Sequence, residues 1–305
     1  MSTTFDNVSA IQAIVAAHSA LAVDHAHIVG KSPPAGNAAY QASFQAARIL
    51  GFIETDAHCI ATAWHRQSER LGRFDPDHWP SDPIDFDIQP QPRLNGFPPC
   101  PRDLGLYAVL PTAQWVARMA QSGVTTLQLR FKSDIQADIE REINAAVRGV
   151  QGTQALLFIN DHWQAAIRAG AYGVHLGQED LDGANVDAIR AAGLRLGIST
   201  HGYAEMLRAD QFSPSYIAMG AVFPTTLKKM QTAPQGIGRL QQYAKLLRHY
   251  SLVAIGGIDH SNLSNVLDCQ VGSVGVVRAL IAAASPEMAA AELMAALRTG
   301  RMAQS

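Results

Sequence analysis

Several features that this chain lacks narrow its chemistry before any motif is read. Cysteine is scarce. Cys59, Cys100 and Cys269 are odd in number, scattered and outside any metal-ligand spacing, so they read as reduced cytosolic thiols and leave no disulfide framework. An excess of one charge is missing as well. A formal net charge of −2 and a pI near 6.6 give neither nucleic acid nor an anionic membrane an electrostatic hold. No window reaches the roughly 18 consecutive apolar residues of a membrane span. The first residues include Asp6 and carry no basic region ahead of an apolar core, so no secretory signal is read there. The expected location is cytoplasmic. Three chemical signatures are also absent: G-x-x-x-x-G-K-S/T, a G-x-G-x-x-G after the first strand, and the G-x-S-x-G elbow. A P-loop kinase, an open dinucleotide-binding sheet and a serine hydrolase lose their support together.

What is present divides into three regions. With 305 residues, nearly half of them hydrophobic, there is room for one large domain and an appendage, or for two modest domains. Residues 1–72 are alanine-rich. "VSAIQAIVAAHSALAVDHA" and "AAYQASFQAARILGFIETDAHCIATAWHRQSERLG" carry apolar residues at three- and four-residue intervals, which predicts helices broken at Pro33, Pro34 and Gly36. His25 and His27 stand two apart on a helix, so they share no face and predict no metal site. Residues 73–103 hold eight of the fifteen prolines. Each proline removes a donor and restricts its predecessor, so this is a linker. Phe74, Trp79, Phe86 and Phe97 predict that it lies along a surface.

From 104 to 305 the pattern alternates. Predicted strands are 106–110, 125–130, 155–160, 172–176, 194–199, 216–220, 252–257 and 273–277, separated by amphipathic stretches such as "TAQWVARMAQSG" and "IGRLQQYAKLLRHY". Eight strand–helix units predict a closed (β/α)8 barrel, the TIM barrel, preceded by the helical extension and the proline-rich linker.

Chemistry in such a barrel collects at the C-terminal strand ends. "QLRFK" places Gln128, Arg130 and Lys132 at alternate positions, which in an extended segment point to the same side and make an anion site at the rim; the competing reading is a solvated strand end. Asn160 and Asp161 end the third strand, and "VHLGQED" carries the fourth to Asp180. Two acids on neighbouring strands suit Mg²⁺, with water and substrate phosphate filling the remaining positions. The competing role is a helix cap, for which Asp182 is better placed, leaving Asp180 free. "GISTHG" offers Ser199 and His201. With no G-x-S-x-G elbow a Ser–His nucleophile is poorly supported, so Ser199 is read as a hydrogen-bond donor to a substrate oxygen. A long loop, "GAVFPTTLKKMQTAPQG", carries Thr225, Lys228 and Lys229. Gly256 and Gly257 would let a phosphate approach backbone N–H groups, with Val277 and Arg278 completing the cradle.

Together "TLQLRFK", "FINDHWQAAIRAGAYGVHLGQEDL", "GISTH", "YIAMGAVFPTTLKKMQTAPQG" and "VAIGGI" resemble the thiamine phosphate synthase family over about residues 104–300. The resemblance implies an enzyme that joins hydroxymethylpyrimidine diphosphate to a thiazole phosphate and releases diphosphate, through a pyrimidine carbocation. It implies Asp161 and Asp180 as Mg²⁺ ligands. Gln128, Arg130, Lys132, Asn160, Ser199 and Lys228 would hold the pyrimidine and its diphosphate, with Arg130, Lys132, Ser199 and Lys228 counted as catalytic. Thr225, Gly257, Val277 and Arg278 would form the thiazole phosphate site. The chain departs from the family where Leu227 replaces a threonine and Arg278 a serine, which predicts a retuned phosphate pocket. A tautomerase-like relative and a non-catalytic thiamine-phosphate-binding module are the competing readings. Residues 1–103 lie outside the resemblance. They are read as a docking module, a remnant of a fused enzyme or an element for homo-oligomer assembly.

Overall fold

In the computed structural model the described residues are 6–23, 36–225 and 232–302. The alanine-rich region forms α1 (Asn7–Ala17), α2 (Ala38–Ile49) and α3 (Glu54–Leu71). Asn37 caps α2, its side chain accepting from the Tyr40 N–H at 2.9 Å. Gly51, at φ +84, separates α2 from α3, so the second alanine-rich stretch is two helices. Phe44, Phe52 and Trp64 are buried. Each such phenylalanine contributes roughly 1.5–3 kcal/mol of apolar burial.

The barrel follows. Its strands are β1 (Gly105–Leu110), β2 (Thr126–Leu129), β3 (Leu156–Asn160), β4 (Gly173–Leu176), β5 (Arg195–Thr200), β6 (Tyr216–Met219), β7 (Ser251–Ile255) and β8 (Ser273–Val276). All pairings are parallel and in sequence order, and β1 pairs with β8 from Gly105↔Ser273 onward, closing the ring. Every strand lies within two residues of its sequence-based bounds. Both faces are covered, which is why the strands read as short apolar runs. The connecting helices are α4 (Ala113–Gln121), α5 (Gln136–Gly149), α6 (Trp163–Ala169), α7 (Gln178–Gly183) and α8 (Val186–Ala191). They continue as α9 (Tyr203–Gln211), α10 (Gly236–Leu246), α11 (Leu263–Leu267), α12 (Arg278–Ile281) and α13 (Pro286–Met302). Each helix begins on the side where its preceding strand ends, so helix N-termini ring the mouth.

The proline-rich segment holds only one 3₁₀ turn, Pro83–Phe86, and is strapped down the outside of α9. Near the mouth, Trp79 Nε1 donates to the Tyr203 hydroxyl at 2.9 Å and Phe86 stacks on the Tyr203 ring at 5.2 Å. Near the other end of α9, Arg93 pairs with Asp210 at 2.6 Å. The strap then passes under the barrel, where Ser251 Oγ donates to the Pro101 carbonyl at 3.0 Å and the Leu104 N–H donates to Ser273 Oγ at 2.7 Å. Cys100 packs against the aromatic cluster of the barrel interior, and burial pushes its thiol up to about 12. Among the described residues no helix is long and apolar enough to cross a membrane.

Candidate active site

The C-terminal end of β3 opens the site. Asn160 is buried, and Asp161 follows at φ +62, a left-handed conformation that costs a non-glycine residue energy. Its own N–H donates to the His175 carbonyl at 3.0 Å, and its carbonyl accepts from the Trp163 N–H at 2.8 Å. Both flanks are thus fixed, and the carboxylate projects to the rim. There Lys132 Nζ lies 3.4 Å from Asp161 Oδ2, with the lysine exposed and the acid half-buried. Burial first, and then the neighbouring Asp180 carboxylate, hold the Asp161 carboxyl above its ordinary range, while Lys132 opposes them. The two carboxylates therefore lie close together at the rim.

The location of Asp180 differs from the sequence reading. β4 ends at Leu176, Gly177 caps α7, and Asp180 lies in the first turn of that helix. At this third helical position a carboxylate reaches back to the cap, and Asp180 Oδ2 accepts from the Gly177 N–H at 3.1 Å. Asp180 is thus the capping acid, and Asp182 instead pairs with Arg208 at 2.6 Å. One oxygen serves the cap, and the carboxylate still faces Asp161. Arg130 begins the segment after β2, its N–H bound to the Leu110 carbonyl at 2.8 Å. Its half-buried guanidinium makes no hydrogen bond or ion pair among the described residues.

Behind the rim runs a continuous polar chain through the barrel interior. Gln128 Nε2 donates to Asn160 Oδ1 at 2.8 Å, and the Tyr107 hydroxyl donates to Gln128 Oε1 at 2.9 Å. The Tyr107 and Tyr216 hydroxyls are 2.6 Å apart, Tyr216 is 2.6 Å from His175 Nδ1, and His175 Nε2 is 2.8 Å from Ser199 Oγ. Proton counting orders the chain. Tyr107 spends its proton on Gln128, so Tyr216 donates to Tyr107 and His175 Nδ1–H donates to Tyr216. A neutral imidazole would then accept the Ser199 proton at Nε2, whereas an imidazolium would donate from Nε2 to Ser199 Oγ. Ser199 Oγ keeps lone-pair capacity for the mouth in either case. Asn160 has its oxygen engaged and offers amide hydrogens. His201, two residues after Ser199, pairs instead with Glu205 at 2.7 Å.

Sequence reasoning assigned no role to Tyr107, His175 or Tyr216. Their signal was available: polar side chains on otherwise apolar strands, fully or nearly buried. Burial holds both tyrosine hydroxyls far above the ordinary phenol range, so they stay neutral.

The phosphate side lies at the ends of β6, β7 and β8. The glycine pair has a structural reason beyond ligand approach. Gly256 and Gly257 have φ +104 and +66, and a Cβ at Gly257 would lie 2.6 Å from the Pro224 carbonyl oxygen and 2.8 Å from Phe223 Cβ. The backbone of 221–224 lies on the side that a Cβ would need: the Val222 N–H donates to the Ile255 carbonyl at 3.0 Å and the Phe223 N–H to the Gly256 carbonyl at 2.9 Å. Half-buried Thr225 is carried by this backbone. β7 and β8 are neighbours, so Gly257 and Val277 follow adjoining strand ends. Val277 caps α12, whose first residue, Arg278, is exposed at the mouth. Leu227, Lys228 and Lys229, like His25 and His27, lie outside the described residues.

A family profile described as thiamine monophosphate synthase matches residues 106–280. The thiamine-phosphate synthase of Neisseria meningitidis serogroup B is 54% identical over 191 residues, 63% of this chain and 93% of that protein. That of Serratia proteamaculans is 50% identical over 198 residues, 65% of this chain and 93% of that protein. Among solved structures, thiamine phosphate pyrophosphorylase from Pyrococcus furiosus superposes with a TM-score of 0.59 at 26% identity, covering 65% of this chain and 98% of that one. The chain belongs to the thiamine monophosphate synthase family.

Proposed function

We propose that this chain is a thiamine phosphate synthase, joining 4-amino-2-methyl-5-hydroxymethylpyrimidine diphosphate to a thiazole phosphate with release of diphosphate. The C–O bond between the pyrimidine methylene and the diphosphate breaks, both electrons leaving with the diphosphate. The thiazole nitrogen lone pair then forms the new C–N bond. The observation that carries this reading is the convergence of Asp161, Asp180 and Lys132 at the mouth, backed by the ordered chain from Asn160 to Ser199.

Arg130 and Lys132 bind the diphosphate and offset its growing charge. Lys228 joins them on the strength of the sequence alone. Asn160 offers amide hydrogens, and the Ser199 oxygen suits the exocyclic amine of the pyrimidine. Gln128 spends its carbonyl and one amide hydrogen on Tyr107 and Asn160, so it chiefly orients Asn160. Thr225, Gly257, Val277 and Arg278 take the thiazole phosphate. The acid pair fits Mg²⁺: two oxygen-donor carboxylates close enough to raise Asp161 are relieved by a shared cation. Asp161 and Asp180 would hold that ion, which when bound neutralises the leaving diphosphate. A cytoplasmic location accords with three unpaired cysteines.

The test is thiamine phosphate formation by the full-length chain from the two phosphorylated halves, with and without Mg²⁺. Magnesium-dependent product is expected. Binding of thiamine phosphate without turnover would favour a regulatory module instead.

A further inference from the structure

Arg239 stands in the first turn of α10 and is only 3% exposed. A buried guanidinium has to satisfy its donors inside the protein. Its Nε donates to the Leu21 carbonyl at 2.9 Å and Nη2 to the Leu50 carbonyl at 2.9 Å. Its Cζ sits 3.6 Å from the centre of the Phe52 ring. All three partners belong to the helical extension. The remaining bond runs the other way, from Nη1 to Gln235 Oε1 at 3.2 Å.

Gln235 closes the base of the β6–α10 connection. Its N–H donates to the Ala221 carbonyl at 2.8 Å, and the Gly236 N–H donates to the Val222 carbonyl at 2.9 Å. Its Oε1 also accepts from the Tyr243 hydroxyl at 2.9 Å. The backbone held at 221–222 is the one that packs on Gly256 and Gly257 and leads to Thr225. The extension presses on α10 so closely that a Cβ at Gly238 would overlap the Ala20 carbonyl.

A second contact grips the neighbouring helix. Asp56 of α3 is buried, and its Oδ1 accepts from the Ala204 N–H at 2.8 Å, capping α9 across the interface. A Cβ at Gly202 would overlap that carboxylate. α9 starts directly after Ser199, Thr200 and His201. Both contacts fall on helix N-termini, the ends that face the mouth.

We propose that the extension braces the active-site mouth, with Arg239 a positioning residue that acts through Gln235 on the thiazole phosphate side of the site. The reading rests on the synthase assignment for its catalytic consequence but not for its structural one. Loss of the brace would let the 221–225 backbone shift against Gly256 and Gly257, weakening the thiazole phosphate more than the pyrimidine diphosphate.

The test uses the full-length chain with Arg239→Lys, which cannot bridge three acceptors, and Gln235→Met, which leaves the contacts of Arg239 to Leu21 and Leu50 in place. KM for each substrate, kcat, the unfolding midpoint and amide exchange are measured on all three proteins. KM for the thiazole phosphate should rise about tenfold in both variants while that for the pyrimidine diphosphate changes less than about twofold. Exchange at Val222, Phe223, Gln235 and Gly236 should speed up about tenfold or more relative to β1–β4. Unchanged exchange and unchanged KM in a folded variant overturn the brace. Equal rises in both KM values with uniformly faster exchange overturn it too, since that is general destabilisation. A wild-type chain without product defeats the synthase reading alone, and the exchange data still decide the brace.

Discussion

The rim and the interior of this barrel are both polar, yet they are built in opposite ways. Inside, Asn160, Gln128, Tyr107, Tyr216, His175 and Ser199 pass hydrogen bonds along one line. At the rim, Asp161 and Asp180 crowd each other and Arg130 has no partner among the described residues. A closed line of satisfied groups fixes geometry, whereas crowded or unspent charge invites a ligand. The interior holds the instrument still, and the rim does the binding.

Changing the rim should have the largest effect. Asp180→Asn keeps an acceptor for the Gly177 N–H but removes the charge, so turnover should fall by about 10³ or more with folding intact. Steady-state assay and circular dichroism together check this, and near-normal rates in a folded variant would falsify the acid-pair assignment. Tyr216→Phe interrupts the interior line instead. It should cost about 1–3 kcal/mol of stability through stranded partners and lower kcat by roughly 10–100-fold, without altering magnesium dependence. A shift in that dependence would merge the two clusters into one.

The next prediction concerns pH. Burial raises the Asp56 carboxyl to about 6 from an ordinary 3.8. A carboxyl raised in the folded state stabilises the fold below the unfolded value and loses that contribution as pH climbs through the folded one. The chain should therefore lose up to about 3 kcal/mol of stability between pH 4 and pH 7 from this group, and Asp56→Asn should flatten that slope. Denaturant titrations of both proteins across the interval provide the comparison. The smallest effect expected is that of Arg278→Ser: KM for the thiazole phosphate should change about two- to fivefold, with the pyrimidine side untouched. A change confined to the pyrimidine diphosphate would move Arg278 to the other substrate.

The barrel was legible because eight short apolar runs recur with amphipathic stretches between them, and no other architecture absorbs that pattern easily. Asp161 was legible because a strand that ends in an acid is unusual. Asp180 was found but misplaced, since only the start of α7 at Gly177 reveals that it lies in a helical turn. The glycine pair was read for what it admits, although its immediate neighbours are the chain's own residues 221–224. Ser199 was read for a substrate oxygen alone because the side chain that engages it, His175, stands 24 residues away. Arg239 offered no clue at all. On an amphipathic helix it reads as a surface cation, and its burial depends on Leu21 and Leu50, 218 and 189 residues earlier.

That separation has a temporal side. During synthesis the helical extension emerges long before the helices that it clasps. At about 5–20 residues per second, a gap of that length is a wait of roughly 10–40 s. Phe52 and Trp79 have no Tyr203 to cover them until α9 is made. The strap of residues 73–104 cannot settle along α9 until α9 is made. Docking of the helical extension is therefore among the last events of folding, and the newborn chain is most exposed to mis-association while its own barrel is still being made.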